Sequence, residues 1–122
     1  MILADTSIWI DHLRRTDPQM VSRLEGDLIL MHPLVMGEIA VGSLKDRSQL
    51  LSRLDRLPRA KIARHYLVLQ LIEGHRLYSR GLSYIDVSLL ASARLTPEAQ
   101  LWTRDIGLAD AARLLDVGIF AD

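Results

Sequence analysis

Four short apolar runs separated by amphipathic stretches set the limits on what this chain can fold into. "MILA" opens it, "LILM" spans 28–31, "AQLWT" spans 99–103 and "VGIF" spans 117–120. Runs this short suit buried strands better than helices. Between them lie segments with helical periodicity. "TSIWIDHLRR" places Ile8, Trp9 and Leu13 on one side, and "DPQMVSRLEG" has Asp17 to cap it, Pro18 at its first position and Gly26 to end it. "HPLVMGEIAVGSL" starts a third helix, with Pro33 at a favourable first position. A fourth runs from Asp46 to about Leu57, where Pro58 stops it. Residues 60–80 read as one longer helix with Ala63, Leu67, Leu71 and Leu77 inward, broken by Gly81. "SYIDVSLLASARL", capped by Ser83, and "IGLADAARLLD" complete the set. Strands alternating with helices or helix pairs predict a parallel sheet covered on both faces, an α/β fold. A length of 122 residues suits a single domain over 1–122.

The acids carry the chemistry. In an open α/β sheet, ligands bind outside the carboxyl ends of the strands. Asp5 ends the first strand and Asp105 lies two residues beyond "LWT", so both belong at that edge. Glu38 has apolar Leu34, Val35 and Val41 at i−4, i−3 and i+3, which predicts a carboxylate within the core-facing stripe of its helix. Asp86 repeats the pattern with Leu89, Leu90 and Ala93. An isolated buried carboxylate is costly or takes up a proton. Capping offers a competing explanation for three of the four: Asp5 and Asp105 precede helices, and Asp86 lies in a first turn, where the helix dipole favours an anion. Glu38, in mid-helix, caps nothing. Four acids converging on one edge point to a cation site, and oxygen ligands without cysteine suit Mg²⁺ or Mn²⁺. A metal held this way points to phosphoryl-transfer chemistry. Thr6, Ser7 and Thr103 sit beside the acids, placed either to orient them or to serve turns and caps.

The net charge of zero conceals a segregation. Residues 1–41 and 81–122 each carry −3, whereas residues 42–80 hold nine basic against three acidic groups. Arg53, Arg56, Arg59 and Arg64 lie in this basic middle, which either attracts a nucleic-acid backbone or merely solvates helix faces.

Other chemistries find little support. The absence of cysteine removes disulfides, thiolate metal sites and thiol nucleophiles. His12, His32, His65 and His75 form no metal spacing, and His32, just before Pro33, reads as a helix cap. Ser7 lacks a G-x-S-x-G context, and there is no Gly-rich phosphate loop. Trp9 and Trp102 read as core. Asp5 and Asp11 interrupt any signal-peptide pattern and no apolar run approaches a membrane span, so a cytoplasmic protein without membrane attachment is expected.

"MILADTSIWIDHL", "HPLVMGEIAVGSL", "GLSYIDVSLLASARL" and "LWTRDIGLADAARLL" resemble, in order, the successive motifs of PIN-domain ribonucleases, most of all the VapC toxins of bacterial toxin–antitoxin pairs. The resemblance spans nearly the whole chain. It implies a three-layer sandwich with a short parallel sheet, and a Mg²⁺- or Mn²⁺-dependent endonuclease directed at single-stranded RNA. Carried over by motif, Asp5 is the central metal ligand, Glu38 the acid of "GEIA", Asp86 the acid of "SYID" and Asp105 the fourth member, with Thr103 or Ser7 in support. The family often has a further acid and an aromatic after this point; here Gly107 and Leu108 follow, and Asp110 is a substitute one helical turn on. The resemblance also implies a homodimer or toxin–antitoxin hetero-oligomer, and a small VapB-type antitoxin that inserts a chain segment into the acidic groove. Two other readings compete. A catalytically inactive PIN-like RNA- or protein-binding module conflicts with the presence of all four acids. A phospho-acceptor receiver needs a lysine near its last strand, and the only lysines are Lys45 and Lys61.

Overall fold

The computed structural model describes residues 1–122 and contains four parallel strands and seven helices. The strands are β1 (Ile2–Ala4), β2 (Ile29–Leu30), β3 (Gln100–Trp102) and β4 (Gly118–Ile119), in the spatial order β2-β1-β3-β4. Leu3 lies opposite Leu30 on one side and Leu101 on the other. The central strand is wholly buried, which is why "MILA" carries no polar residue before Asp5. The α/β expectation holds, with each predicted strand present but trimmed by one or two residues.

Helices α1 (Thr6–Arg14), α2 (Pro18–Glu25), α3 (Pro33–Ala40), α4 (Arg47–Asp55), α5 (His65–Gly74), α6 (Tyr84–Leu95) and α7 (Ile106–Leu114) surround the sheet. Local chemistry sets their starts. Asp17 accepts from the Gln19 amide, Ser83 from the Asp86 amide and His32, through Nδ1, from the Leu34 amide. Trp9, Trp102, Met20 and the strand residues fill one continuous core of 28 buried apolar side chains.

The predicted helix over 60–80 is corrected: only His65–Gly74 is helical. The Met31 amide donates to the Pro58 carbonyl (2.7 Å) and the Ala60 amide to the Met31 carbonyl (3.1 Å), so the chain after Pro58 runs alongside the end of β2. The Lys61 amide then donates to Thr96 Oγ1 at 2.9 Å. These tertiary bonds outweigh the helical propensity of 60–64. At the other end Arg76 (φ 53°) and Ser79 (φ 58°) turn the chain left-handed before Gly81 is reached, and Leu77 is buried outside the helix.

Candidate active site

The carboxyl ends of β1 and β3 lie side by side, and each runs directly into a helix. Asp5 is the N-cap of α1 and Asp105 the N-cap of α7. A cap must sit at the first turn, and a parallel sheet puts those first turns at one edge; the topology therefore gathers the acids.

Asp5 is the most enclosed of them, with 6% exposure. Its Oδ1 accepts from the Ile8 amide at 3.0 Å and its Oδ2 from the Thr103 hydroxyl at 2.5 Å. Thr103 Oγ1 in turn accepts the Asp105 amide at 3.0 Å, and Asp105 Oδ1 accepts the Leu108 amide at 2.9 Å. One hydroxyl thus ties the acid after β1 to the acid after β3. Burial pushes the Asp5 carboxyl above the ordinary carboxylate range. The bonds from Thr103 and Ile8 act in the opposite direction, and the neighbouring charges of Asp86 and Asp105 add to the rise.

Asp86 sits in the first turn of α6, where its Oδ2 accepts the Ser83 amide at 3.0 Å and completes a capping box. Glu38 on α3 accepts from the Thr6 hydroxyl through Oε1 at 2.7 Å, joining α3 to the start of α1. The expectation of a core-facing Glu38 is corrected. Glu38 is exposed, and Val41, part of the supposed inner stripe, is 88% exposed. The apolar side of α3 therefore continues onto open surface, and Glu38 lies beside the start of α1, where Thr6 bonds it.

Capping occupies only one carboxylate oxygen of Asp86 and one of Asp105. Asp86 Oδ1, Asp105 Oδ2 and Glu38 Oε2 have no hydrogen-bond partner, while the other oxygen caps a helix in Asp86 and Asp105 and bonds Thr6 in Glu38. This donor set, all carboxylate oxygen, suits a hard divalent cation. No three acidic or histidine side chains are close enough to hold a metal as they stand. The mutual repulsion of Asp5, Asp86 and Asp105 is a charge arrangement that a cation relieves.

The supporting residues divide. Thr6 and Thr103 bond the acids; Ser7 is exposed and bonds none of them. Asp110 pairs with Arg113 at 3.1 Å on the exposed side of α7, away from the other acids' hydrogen bonds. Gly107 packs tightly: a Cβ there would lie 3.3 Å from Asp105 Oδ1 and 3.8 Å from the Arg80 carbonyl, so no acid fits without displacement. Arg53 is exposed on α4 and Arg56 at its C-cap, Arg59 pairs with Asp55, and Arg64 precedes α5. None of the four bonds to the acids.

Sequence reasoning missed Arg104. Lying between Thr103 and Asp105, it reaches Asp11 (3.1 Å), Asp17 (3.2 Å) and Asp122 (2.6 Å), tying the β3–α7 turn to α1, the start of α2 and the chain end. The bond from Arg104 holds the Asp122 carboxyl below its usual range. Three acids scattered over 11–122 give no local signal of this. His32 was recognised as a cap, but not its second bond: Nε2 lies 3.0 Å from Ser92 Oγ, linking the start of α3 to α6.

A four-stranded parallel sheet with acids at the C-terminal ends of adjacent strands and on flanking helices defines the class: the chain belongs to the PIN domain family, whose pattern it matches over residues 2–114. It is also 46% identical over 105 residues to Ribonuclease VapC32 of Mycobacterium tuberculosis strain CDC 1551 / Oshkosh, covering 86% of this chain and 85% of that protein. The same identity and coverage hold for Ribonuclease VapC32 of strain ATCC 25618 / H37Rv.

Proposed function

We infer that this chain is a metal-dependent endoribonuclease, the toxin of a VapC-type toxin–antitoxin pair. The observation that carries the reading is the Asp5–Thr103–Asp105 chain at the end of the parallel sheet, with Asp86 in electrostatic reach of Asp5. Kinship with proteins named Ribonuclease VapC32 supports the substrate class and the role. PIN ribonucleases generally depend on divalent metal, and carboxylate donors favour Mg²⁺ or Mn²⁺. Asp5, Asp86, Asp105 and Glu38 would hold the ion, with Asp5 central because it alone is held through both oxygens. The chemistry supplied by such a cation is activation of a water and neutralisation of charge on the scissile phosphate. The chain's own contribution is positioning: Thr103 aims Asp5 and fixes Asp105, and Thr6 restrains Glu38. Arg53, Arg56, Arg59 and Arg64 attract the RNA backbone without reading its sequence.

A VapB-type antitoxin is the expected partner, inserting a cationic segment among the acids, where a guanidinium can pair with carboxylates. Exposed Val41, at the end of α3, supplies apolar surface next to that crevice. A homodimer in the cytoplasm completes the proposal; no helix is long and apolar enough to cross a membrane. The alternative of an inactive binding module draws on the separation of the acids. Induced expression separates the two. Growth arrest that Asp5→Asn removes, and that co-expression of the neighbouring small gene relieves, supports the toxin; no arrest in either case favours the binding module.

A further inference from the structure

Residues 103–105 form the short turn between β3 and α7, and their side chains divide the work. Thr103 and Asp105 belong to the acids: the Thr103 hydroxyl donates to Asp5 and accepts the Asp105 amide. Arg104, between them, bonds none of the four site acids. Its Nη1 donates to Asp11 on α1 at 3.1 Å and its Nη2 to Asp17, the N-cap of α2, at 3.2 Å. Nε and Nη2 both donate to Asp122 Oδ2, at 2.9 and 2.6 Å. All three guanidinium nitrogens are used, and Arg104 is the only cation paired with these three carboxylates.

The acids that Arg104 grips are themselves anchored. Asp17 Oδ1 caps α2 through the Gln19 amide. Asp122 follows a docked segment: the Phe120 amide donates to the Leu101 carbonyl at 2.9 Å, and the Phe120 ring packs edge-on against Trp102 at 4.8 Å. The Arg23 guanidinium lies 5.2 Å over the same ring. Two other bonds join α1 to β3 and its turn, from the Asp5 amide to the Trp102 carbonyl at 3.0 Å and from Thr103 to Asp5. Both act at the cap of α1. Arg104 alone reaches along the helix body, to a residue six positions beyond the cap and therefore about 9 Å along the axis. A joint pinned at two separated points resists rotation as well as separation.

We propose that Arg104 is a positioning residue of the ribonuclease site: its clasp on Asp11, Asp17 and Asp122 fixes the β3–α7 turn, and so the places of Thr103 and Asp105 beside Asp5. The inference rests on the metal-dependent ribonuclease reading and adds a residue to it. Arg104 acts through the backbone of its two neighbours. Its charge alone has the opposite consequence, because a positive group near a cation site repels the cation and its removal strengthens binding. Loss of the clasp weakens binding. The sign of the change therefore separates positioning from simple electrostatics. Residues that orient metal ligands are typically worth 10- to 100-fold in metal affinity. Arg104 is one step further out and half-exposed, which sets its effect at the lower end. Lysine keeps the charge and loses the fork that spans three carboxylates.

The test is Mn²⁺ binding to the metal-free protein in the absence of RNA, read from the electron paramagnetic resonance signal of free Mn²⁺. Arg104→Met should weaken binding roughly 10-fold, and Arg104→Lys should weaken it by a smaller factor. Asp122→Asn should also weaken it, and the double variant with Arg104→Met should bind no more weakly than Arg104→Met alone, as expected of two members of one clasp. Unchanged or tighter binding by Arg104→Met overturns the proposal, and fully additive losses in the double variant do the same. Should Arg104→Met fail to fold, Arg104→Lys carries the test, since electrostatics alone leaves its affinity at the wild-type value. Wild-type protein that neither binds Mn²⁺ nor cuts RNA removes the ribonuclease reading itself, and the proposal with it.

Discussion

Thr103→Val is the sharpest perturbation of the site, because valine keeps the side-chain shape and removes only the hydroxyl. That hydroxyl donates to Asp5 Oδ2 and accepts from the Asp105 amide. A hydrogen bond to a charged group contributes about 1.5–3 kcal/mol, and the part-buried Asp105 amide, which water can reach, adds less than the about 1–3 kcal/mol of a fully buried unpaired group. The first effect falls on the charged form of Asp5, whose carboxyl burial already holds high. Losing the Thr103 bond moves it further up, so the acid limb of activity shifts to higher pH. At a fixed pH near neutrality, the same loss weakens divalent-cation binding about 10- to 100-fold. The assay is the Mn²⁺ midpoint for cleavage of single-stranded RNA, measured at several pH values, with Thr103→Ser as the variant that restores the hydroxyl. Unchanged metal midpoints and pH profile in Thr103→Val would show that Thr103 neither orients nor charges Asp5.

His32 makes the fold pH-sensitive. Burial holds its pKa below the ordinary histidine value, and its Nδ1 must stay unprotonated to cap α3. The unfolded chain therefore takes up a proton first as pH falls below about 6.5, and stability drops by at most about 1.4 kcal/mol per pH unit from this group. His12 is lowered in the same direction, so His32→Asn, which keeps a capping side chain, should flatten the pH 7-to-5 decline of the melting temperature only in part. Asp5 has the opposite sign. Its raised folded pKa means the neutral form favours the fold at low pH, and that advantage is lost as pH rises through the folded value. Asp5→Asn in metal-free buffer at pH 8 should thus melt no lower than wild type, by calorimetry; a loss of several degrees would contradict the strain assigned to the site. Converting Arg53, Arg56, Arg59 and Arg64 to Ala should weaken RNA binding uniformly across sequences and flatten its salt dependence by up to four phosphate contacts, read by fluorescence anisotropy. Equal salt slopes would leave these arginines as solvated surface.

The four strands and most helix starts were legible because each depends on local chemistry: a short apolar run, a cap, a proline at a first position. Asp5, Asp86 and Asp105 were ambiguous between cap and ligand for a physical reason, since a carboxylate has two oxygens and can serve both. The helix predicted over 60–80 failed where Met31 and Thr96, distant in sequence, bond the backbone of 60 and 61. The burial expected of Glu38 failed. Its apolar neighbours predicted burial, yet Val41 faces open surface, because periodicity identifies an apolar stripe and cannot say what covers it. The bonds of Arg104 were beyond reach, as they join side chains brought together only by the folded chain.

The most direct measurement is cleavage of single-stranded RNA by the purified protein with EDTA and with Mg²⁺ or Mn²⁺ restored, wild type against Asp5→Asn. Cleavage by wild type that EDTA stops and the metal restores, with none from Asp5→Asn under any condition, is the expected result. Cleavage that persists in EDTA, or in Asp5→Asn with metal present, would contradict a carboxylate-held cation at the end of β1 as the source of the activity.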